Sequence, residues 1–300
     1  MRRSEQNPIL TRRDIPSRDV TSVFNPGAIR WGDEIALLLR VQTRGRETLL
    51  WPARSQDGVK FEVAPEPISI EGLDLTGIHH VYDPRLTMLE GVLHVVFAVD
   101  TDDGCRLGIA RSRDFERFEL VSLDATGERR NGVLFPERVG GRYLRLERPN
   151  TKSQEGSGDQ IWLAESQDLV DWADVAPVME GRWHYWDERI GSGPPPIRVD
   201  EGWLHLFHGI ATHFMSVNIY QLGVVLLDAD DPSRVLARSR ENVLEPREMY
   251  EMVGQVPNVV FPSGWVRDGA DDLLIYYGAA DTCVGLARTT VGELLDACNR

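Results

Sequence analysis

Five short runs, EIALLLRV from Glu34, VLHVVFAVD from Val92, RYLRLER from Arg142, WLHLFHGI from Trp203 and LLIYYGA from Leu273, are continuously apolar or alternate apolar with polar positions. Gly, Asp and Pro turns separate them. Runs of this length and period, bounded by turn residues, predict β-strands. Helical periodicity is confined to the end of the chain, where VGELLDACNR predicts a closing helix. The chain reads as all-β.

A longer period underlies the short one. The pattern A-x-S-x-D followed by an aromatic recurs as ARSQDGVKFE from Ala53, ARSRDFERFE from Ala110 and AESQDLVDWA from Ala164, with weaker echoes from Leu226 and Leu286. A spacing of about 55 to 60 residues has room for four strands and their loops. Five repeats predict a five-bladed β-propeller. With no linker or shift in composition to divide it, residues 1–300 are expected to form a single propeller domain.

A second series accompanies the first. Polar or glycine-rich turns feed apolar strands at FNPGAI from Phe24, YDPRLT from Tyr82, RNGVLF from Arg130, GSGPPPI from Gly191 and PNVVFP from Pro257. The innermost strand of every propeller blade runs along the central axis, so the beginnings of these strands converge on one end of the channel. Asn25, Asp83, Arg130 with Asn131, Ser192 and Asn258 are therefore expected to face one small-ligand cavity. An aspartate before proline ordinarily serves a turn. At a channel mouth beside Tyr82, the Asp83 carboxyl is expected instead to be partly desolvated, raised in pKa and able to donate a proton, with Pro84 fixing the adjacent backbone.

Charge narrows the partners. Lys and Arg number 33 against 47 Asp and Glu, a net charge of −14 that excludes nucleic acid and anionic membrane surfaces as expected partners. Any bound anion needs a local cluster of cations. The beginning, MRRSEQNPIL, has no apolar signal-peptide core, and no apolar stretch is long enough to span a membrane, so a cytoplasmic protein is expected. Cys105, Cys283 and Cys298 are odd in number and lack CxxC spacing, which fits neither a disulfide framework nor a zinc site. His205 and His208, three apart in a strand-like run, point to opposite faces and make a poor metal pair. DTDDG from Asp100 lacks a calcium loop's closing glutamate, and GSGPPP lacks the lysine of a nucleotide loop. No metal and no cofactor are expected.

The segments VFNPGAI, YDPRLT, FPERVGGRYLRLERP, ERIGSGPPPI, GWLHLFHG, YQLGVVLLD and GAADTCVGLA, in this order across nearly the whole chain, resemble glycoside hydrolase family 130, the β-mannoside phosphorylases and related β-mannosidases. The resemblance implies a five-bladed propeller in which Asp83 is the general acid, acting through a mannose hydroxyl. Inorganic phosphate, as co-substrate, attacks the anomeric carbon and yields α-mannose 1-phosphate. It further implies phosphate binding by Arg130, Arg148, His208, Tyr220 and Arg189, the last standing where phosphorylases of the family usually carry lysine. That exchange keeps the charge and replaces a compact ammonium by a planar fork. Asn25 and Asp281 match positions that contact the mannose. Tyr82, Asn131, Trp186 in the WHYW cluster, and Arg54 are further candidate sugar contacts, although Arg54 also fits a blade-edge role. The implied partners are a β-mannoside oligosaccharide and phosphate, with self-association left open. A hydrolase of the same family is the alternative, and it needs a second carboxylate about 6.5 to 9.5 Å from the acid to activate water; Glu188 is the one in question. A non-catalytic sugar-binding propeller is the third reading.

Overall fold

Each of the five apolar runs becomes the second strand of a sheet, antiparallel to both its neighbours: Glu34–Thr43, Val92–Thr101, Tyr143–Pro149, Gly202–Thr212 and Asp272–Ala279. Burial on both faces explains their composition. Ile35, Ala36, Leu37, Leu38 and Leu39 are all 3% exposed or less, and a strand between two packed layers has no solvent face on which to alternate. Burying one such branched side chain contributes about 1.5–3 kcal/mol.

The structure, a computed structural model, describes residues 1–17, 19–125, 128–149, 160–212 and 217–299. Five sheets follow one another in chain order around an axis, a five-bladed β-propeller as the repeats predict. Blade 1 runs through Val20–Trp31, Glu34–Thr43, Thr48–Ser55 and Glu62–Val63. Blade 2 begins with Ile78–Leu89, blade 3 with Arg129–Leu134, blade 4 with Arg189–Ser192 and blade 5 with Val260–Arg267. The fifth blade takes its outermost strand from the start of the chain, with Arg3 opposite Ala287, and so joins the two ends of the ring. The predicted closing helix is Val291–Cys298, where Thr290 Oγ1 accepts from the Glu293 N–H at 3.0 Å as its cap.

The apolar core is divided into five clusters, each built from two neighbouring blades. Leu38 and Leu50 of blade 1, for example, pack with Val95 and Phe97 of blade 2, and Val133 and Phe135 of blade 3 pack with Trp203 and Phe207 of blade 4. Blade-to-blade packing thus leaves the axis itself to polar side chains. Among the described residues no helix is long and apolar enough to cross a membrane, and the three cysteines are buried and free.

Candidate active site

The innermost strands of blades 1 to 3 share one irregularity. Their pairing slips between Phe24 and Gly27, between Tyr82 and Arg85, and between Arg130 and Val133. Within each slip one residue takes the left-handed conformation: Asn25 (φ 44°), Asp83 (φ 52°) and Asn131 (φ 53°). Asn and Asp tolerate this region better than other side chains with a Cβ, and a bulge turns a side chain out of the strand plane. The Asp-Pro pair is therefore a turn, but a turn inside a strand, and it delivers a carboxyl to the axis.

A cavity of about 270 Å³ lies at this end of the channel. Asn25, Tyr82, Asp83, Arg130, Asn131, Arg148, His208, Tyr220 and Asp281, drawn from all five blades, line it. Ser192 and Asn258 are not among its lining residues. Blade 4 contributes differently: a Cβ built on Gly191 would lie 2.5 Å from His208 Cε1 and 2.6 Å from Asn131 Oδ1, so glycine there keeps this corner open.

Asp83 is held on one oxygen. Arg40 Nη1 donates to Asp83 Oδ1 at 2.8 Å and Asn25 Nδ2 donates to the same atom at 2.9 Å. Burial pushes the carboxyl up, but the charges of Arg40 and Arg85 and these hydrogen bonds outweigh burial and hold Asp83 below its usual range. The expected raised value is thereby corrected: Arg40 comes from another blade, and nothing in YDPRLT shows that Arg85 turns back toward Asp83. Asp281 behaves oppositely. Burial pushes it up to about 6, with Arg40 opposing and Asp83 adding to the rise.

The anion-binding candidates gather on the other side. Arg130 faces Asp100 at 3.7 Å and Glu128 at 3.9 Å, distances of loose ion pairs. Tyr82 Oη donates to Asp100 Oδ1 at 2.7 Å. His208, 1% exposed, lies between Tyr220 (ring centroids 6.0 Å) and Phe261 (4.6 Å). Burial, then the charges of Arg148, Arg85 and Arg189, holds its pKa well below the usual imidazole value, so it is neutral and presents one N–H and one lone pair. This set can hold a polyanion by charge and by directed hydrogen bonds together.

Three sequence candidates stand apart. Arg189 opens the inner strand of blade 4 with an exposed side chain; its charge reaches His208, but it is not among the residues lining the cavity. Arg54 pairs with Glu34 at 3.6 Å and lies over the Phe115 ring, at a blade edge outside the cavity. Trp186 is half-buried, stacks on Phe207 with centroids 5.7 Å apart, and donates from Nε1 to Arg240 O at 2.8 Å. It borders a separate groove of about 1020 Å³ that also holds Glu188. In the WHYW cluster Trp183, His184 and Tyr185 are all exposed, Trp183 most clearly at 66%.

Sequence reasoning missed Arg40, Arg85 and Asp100. Arg40 and Arg85 are each a lone cation within an apolar strand, and buried arginines need partners; that interruption of EIALLLRV and of RLTML was the available signal. Among the described residues no group of three His, Cys, Asp or Glu is placed to hold a metal ion.

Comparison with known proteins extends this geometry. A family model for glycoside hydrolase family 130, described as β-1,4-mannooligosaccharide phosphorylase, matches residues 1–300. The chain is 32% identical over 304 residues to a β-1,4-mannooligosaccharide phosphorylase of Ruminococcus albus, covering 98% of this chain and 89% of the relative. It is 31% identical to a 1,2-β-oligomannan phosphorylase of a Thermoanaerobacter species, covering 96% of each. Among solved structures, the β-1,2-mannobiose phosphorylase of Listeria innocua in complex with β-1,2-mannobiose superposes with a TM-score of 0.90 at 28% identity, covering 99% of both chains.

Proposed function

The chain belongs to glycoside hydrolase family 130, and from that premise we propose that it is an inverting phosphorylase that cleaves a β-mannoside with inorganic phosphate. The observation that carries this reading is the meeting of one carboxyl, Asp83, with Arg130, Arg148, neutral His208 and Tyr220 in a single cavity of about 270 Å³. A phosphorolytic site needs an acid for the leaving group and cations for a nucleophile that arrives already charged.

In this reading Arg130 and Arg148 take the phosphate, His208 and Tyr220 fix its orientation, and Arg189 adds charge from the rim. Asn25, Asn131 and Asp281 receive the mannose. Asp83 gives its proton to a mannose hydroxyl, which passes its own to the glycosidic oxygen. As the bond from the anomeric carbon to that oxygen breaks, a phosphate oxygen bonds to the opposite face, giving α-mannose 1-phosphate and a shortened sugar. Asp83 is ionised at rest, and the entering phosphate supplies what it needs: an anion nearby opposes the field of Arg40 and Arg85 and lifts the carboxyl toward its protonated form.

Glu188 borders the neighbouring groove rather than the cavity, so a hydrolytic role gains nothing from it. Relatives of similar identity are named for β-1,4 and β-1,2 linkages, which sets the substrates for the test. Incubation with β-1,4-mannobiose, β-1,2-mannobiose and mannosyl-glucose, with and without phosphate, should give mannose 1-phosphate only when phosphate is present. Free mannose released at a rate indifferent to phosphate overturns the reading, as does the absence of turnover on every β-mannoside tried.

A further inference from the structure

Arg85 and Arg145 are both 1% exposed, yet they are neutralised very differently. Arg145 meets Asp124 at 2.8 Å and Glu147 at 2.7 Å. Among the described residues no carboxylate forms an ion pair with Arg85, which donates only to backbone carbonyls. Its Nε reaches Gly193 O at 2.7 Å, and its Nη1 reaches Asp83 O at 3.1 Å and Pro84 O at 3.4 Å. Its guanidinium carbon lies 5.4 Å from the Phe261 ring centroid. One side chain of blade 2 is thereby fastened to the backbone just after the inner strand of blade 4 and rests against blade 5. A buried charge without a counter-charge is destabilising, and here it is spent on the two residues that form the bulge of blade 2.

We propose that Arg85 is a positioning residue for the reaction: clamped between blades 2 and 4, it fixes the backbone from which Asp83 reaches the cavity and supplies a permanent positive charge behind the acid. This rests on the reading of Asp83 as the proton donor. The other titratable and charged groups around Asp83 are Arg40 from blade 1, Tyr82, Asp100 and Cys105 from blade 2, Arg130 and Arg148 from blade 3, neutral His208 and Tyr220 from blade 4 and Asp281 after the second strand of blade 5. All of them persist when Arg85 alone is changed.

Two variants separate charge from clamp. Arg85→Gln keeps hydrogen-bond donors and removes the charge; Arg85→Lys keeps the charge and removes the fork. The pH profile of kcat/KM for the sugar is measured for phosphorolysis of a β-mannobiose at saturating phosphate, so that it reports the phosphate-bound enzyme. Loss of a positive charge makes the acid harder to ionise, so in Arg85→Gln the basic limb should move to higher pH by roughly half a unit or more. Misplacement of the acid should lower kcat by about 10- to 100-fold in both variants while the sugar KM stays within about threefold. In Arg85→Lys the limb should stay where the wild type has it. A fall in kcat with the limb unmoved in Arg85→Gln overturns the electrostatic part, and a wild-type kcat in Arg85→Lys overturns the clamp. Should Arg85→Gln fail to fold by circular dichroism, Arg85→Met, which also removes the charge, tests the limb in its place and Arg85→Lys still tests the clamp. Asp83→Asn distinguishes the underlying reading: if it keeps wild-type activity, Asp83 is not the acid and the proposal falls with it; if it is inactive, the Arg85 result stands by itself.

Discussion

The propeller uses one backbone device in two places, and the contrast between them separates scaffold from chemistry. At the outer end of the third strand in blades 1, 2 and 3, the repeated S-x-D turn places Gly58, Phe115 and Leu169 at φ 71°, 62° and 67°. Ser112 Oγ accepts from the Phe115 N–H at 3.0 Å, and Asp114 Oδ1 accepts from Glu116 and Arg117 N–H at 2.9 and 2.8 Å. Ser166 with Asp168, and Ser55 with Asp57, repeat the arrangement. At the inner mouth the left-handed position is again occupied, but its residue changes from blade to blade: Asn25, Asp83, Asn131. Backbone N–H groups hold the Asp57, Asp114 and Asp168 carboxyls below their usual range. Among the described residues no such donor serves Asp281, which burial pushes up to about 6. Where the same task recurs, the residues recur; where each blade brings a different group to one cavity, they diverge.

The sharpest way to break that contrast is to change one aspartate in each series. Asp83→Asn should lower kcat for mannose 1-phosphate formation by about 10²- to 10⁴-fold, the usual contribution of a general acid, while calorimetry still detects sugar binding. Asp114→Asn should leave kcat unchanged. Equal losses in both would show that the two left-handed series are not functionally distinct.

Arg148→Ala comes next in size. Hydrogen bonds to a charged group are worth about 1.5–3 kcal/mol, so the KM for phosphate should rise by roughly 10- to 100-fold with the sugar KM nearly constant. A rise in the sugar KM alone would move Arg148 from the anion side of the cavity to the sugar side.

Asp281 sharpens the comparison through stability. Its pKa is about 6 in the folded protein against about 3.9 in an unfolded chain, so the folded state binds the proton more tightly. Stability that is present below about pH 4 is lost as pH rises through 6, the reverse of what Asp57, Asp114 and Asp168 do. Asp281→Asn should therefore raise stability at pH 8 by up to about 3 kcal/mol and leave it nearly unchanged at pH 4, at the expense of activity. Thermal melts across this range check it, and a uniform shift at all pH values contradicts it.

Much of this was legible in the sequence because the repeated turns are local. A-x-S-x-D depends on hydrogen bonds spanning three residues, so Ala53, Ala110 and Ala164 mark equivalent corners without knowledge of the fold. The weaker echoes mark the same corner: Asp228 accepts from Asp230 and Asp231 N–H in blade 4, and Thr290 caps the helix in blade 5. The closing of the ring was not legible, since Arg2–Arg3 is two polar residues whose strand exists only by pairing with Arg288 and Ala287. The site divided along the same line. Asp83 lies in a turn that announces itself, whereas Arg40 acts on it from another blade, and Arg85, two residues along the same strand, is held beside it by a bond to Gly193 O of blade 4. The sign of a pKa depends on where such neighbours point, which a local motif does not display even when, as with Arg85 in YDPRLT, it contains one of them.

The smallest expected effect tests the scaffold half of the comparison. Ser112 is 2% exposed, donates to Asp114 Oδ1 at 3.3 Å and accepts from the N–H of Phe115, which is itself 1% exposed and left-handed. Ser112→Ala removes almost no volume but leaves that buried N–H unpaired in a conformation phenylalanine does not favour. The cost should be about 1–2 kcal/mol, read as a fall of a few degrees in Tm. Neither Ser112 nor Phe115 lines the cavity, so kcat, both KM values and the position of the pH limbs should match the wild type. A change in any of these at equal folded fraction would mean that the outer turns transmit to the mouth, and that repetition here marks more than support.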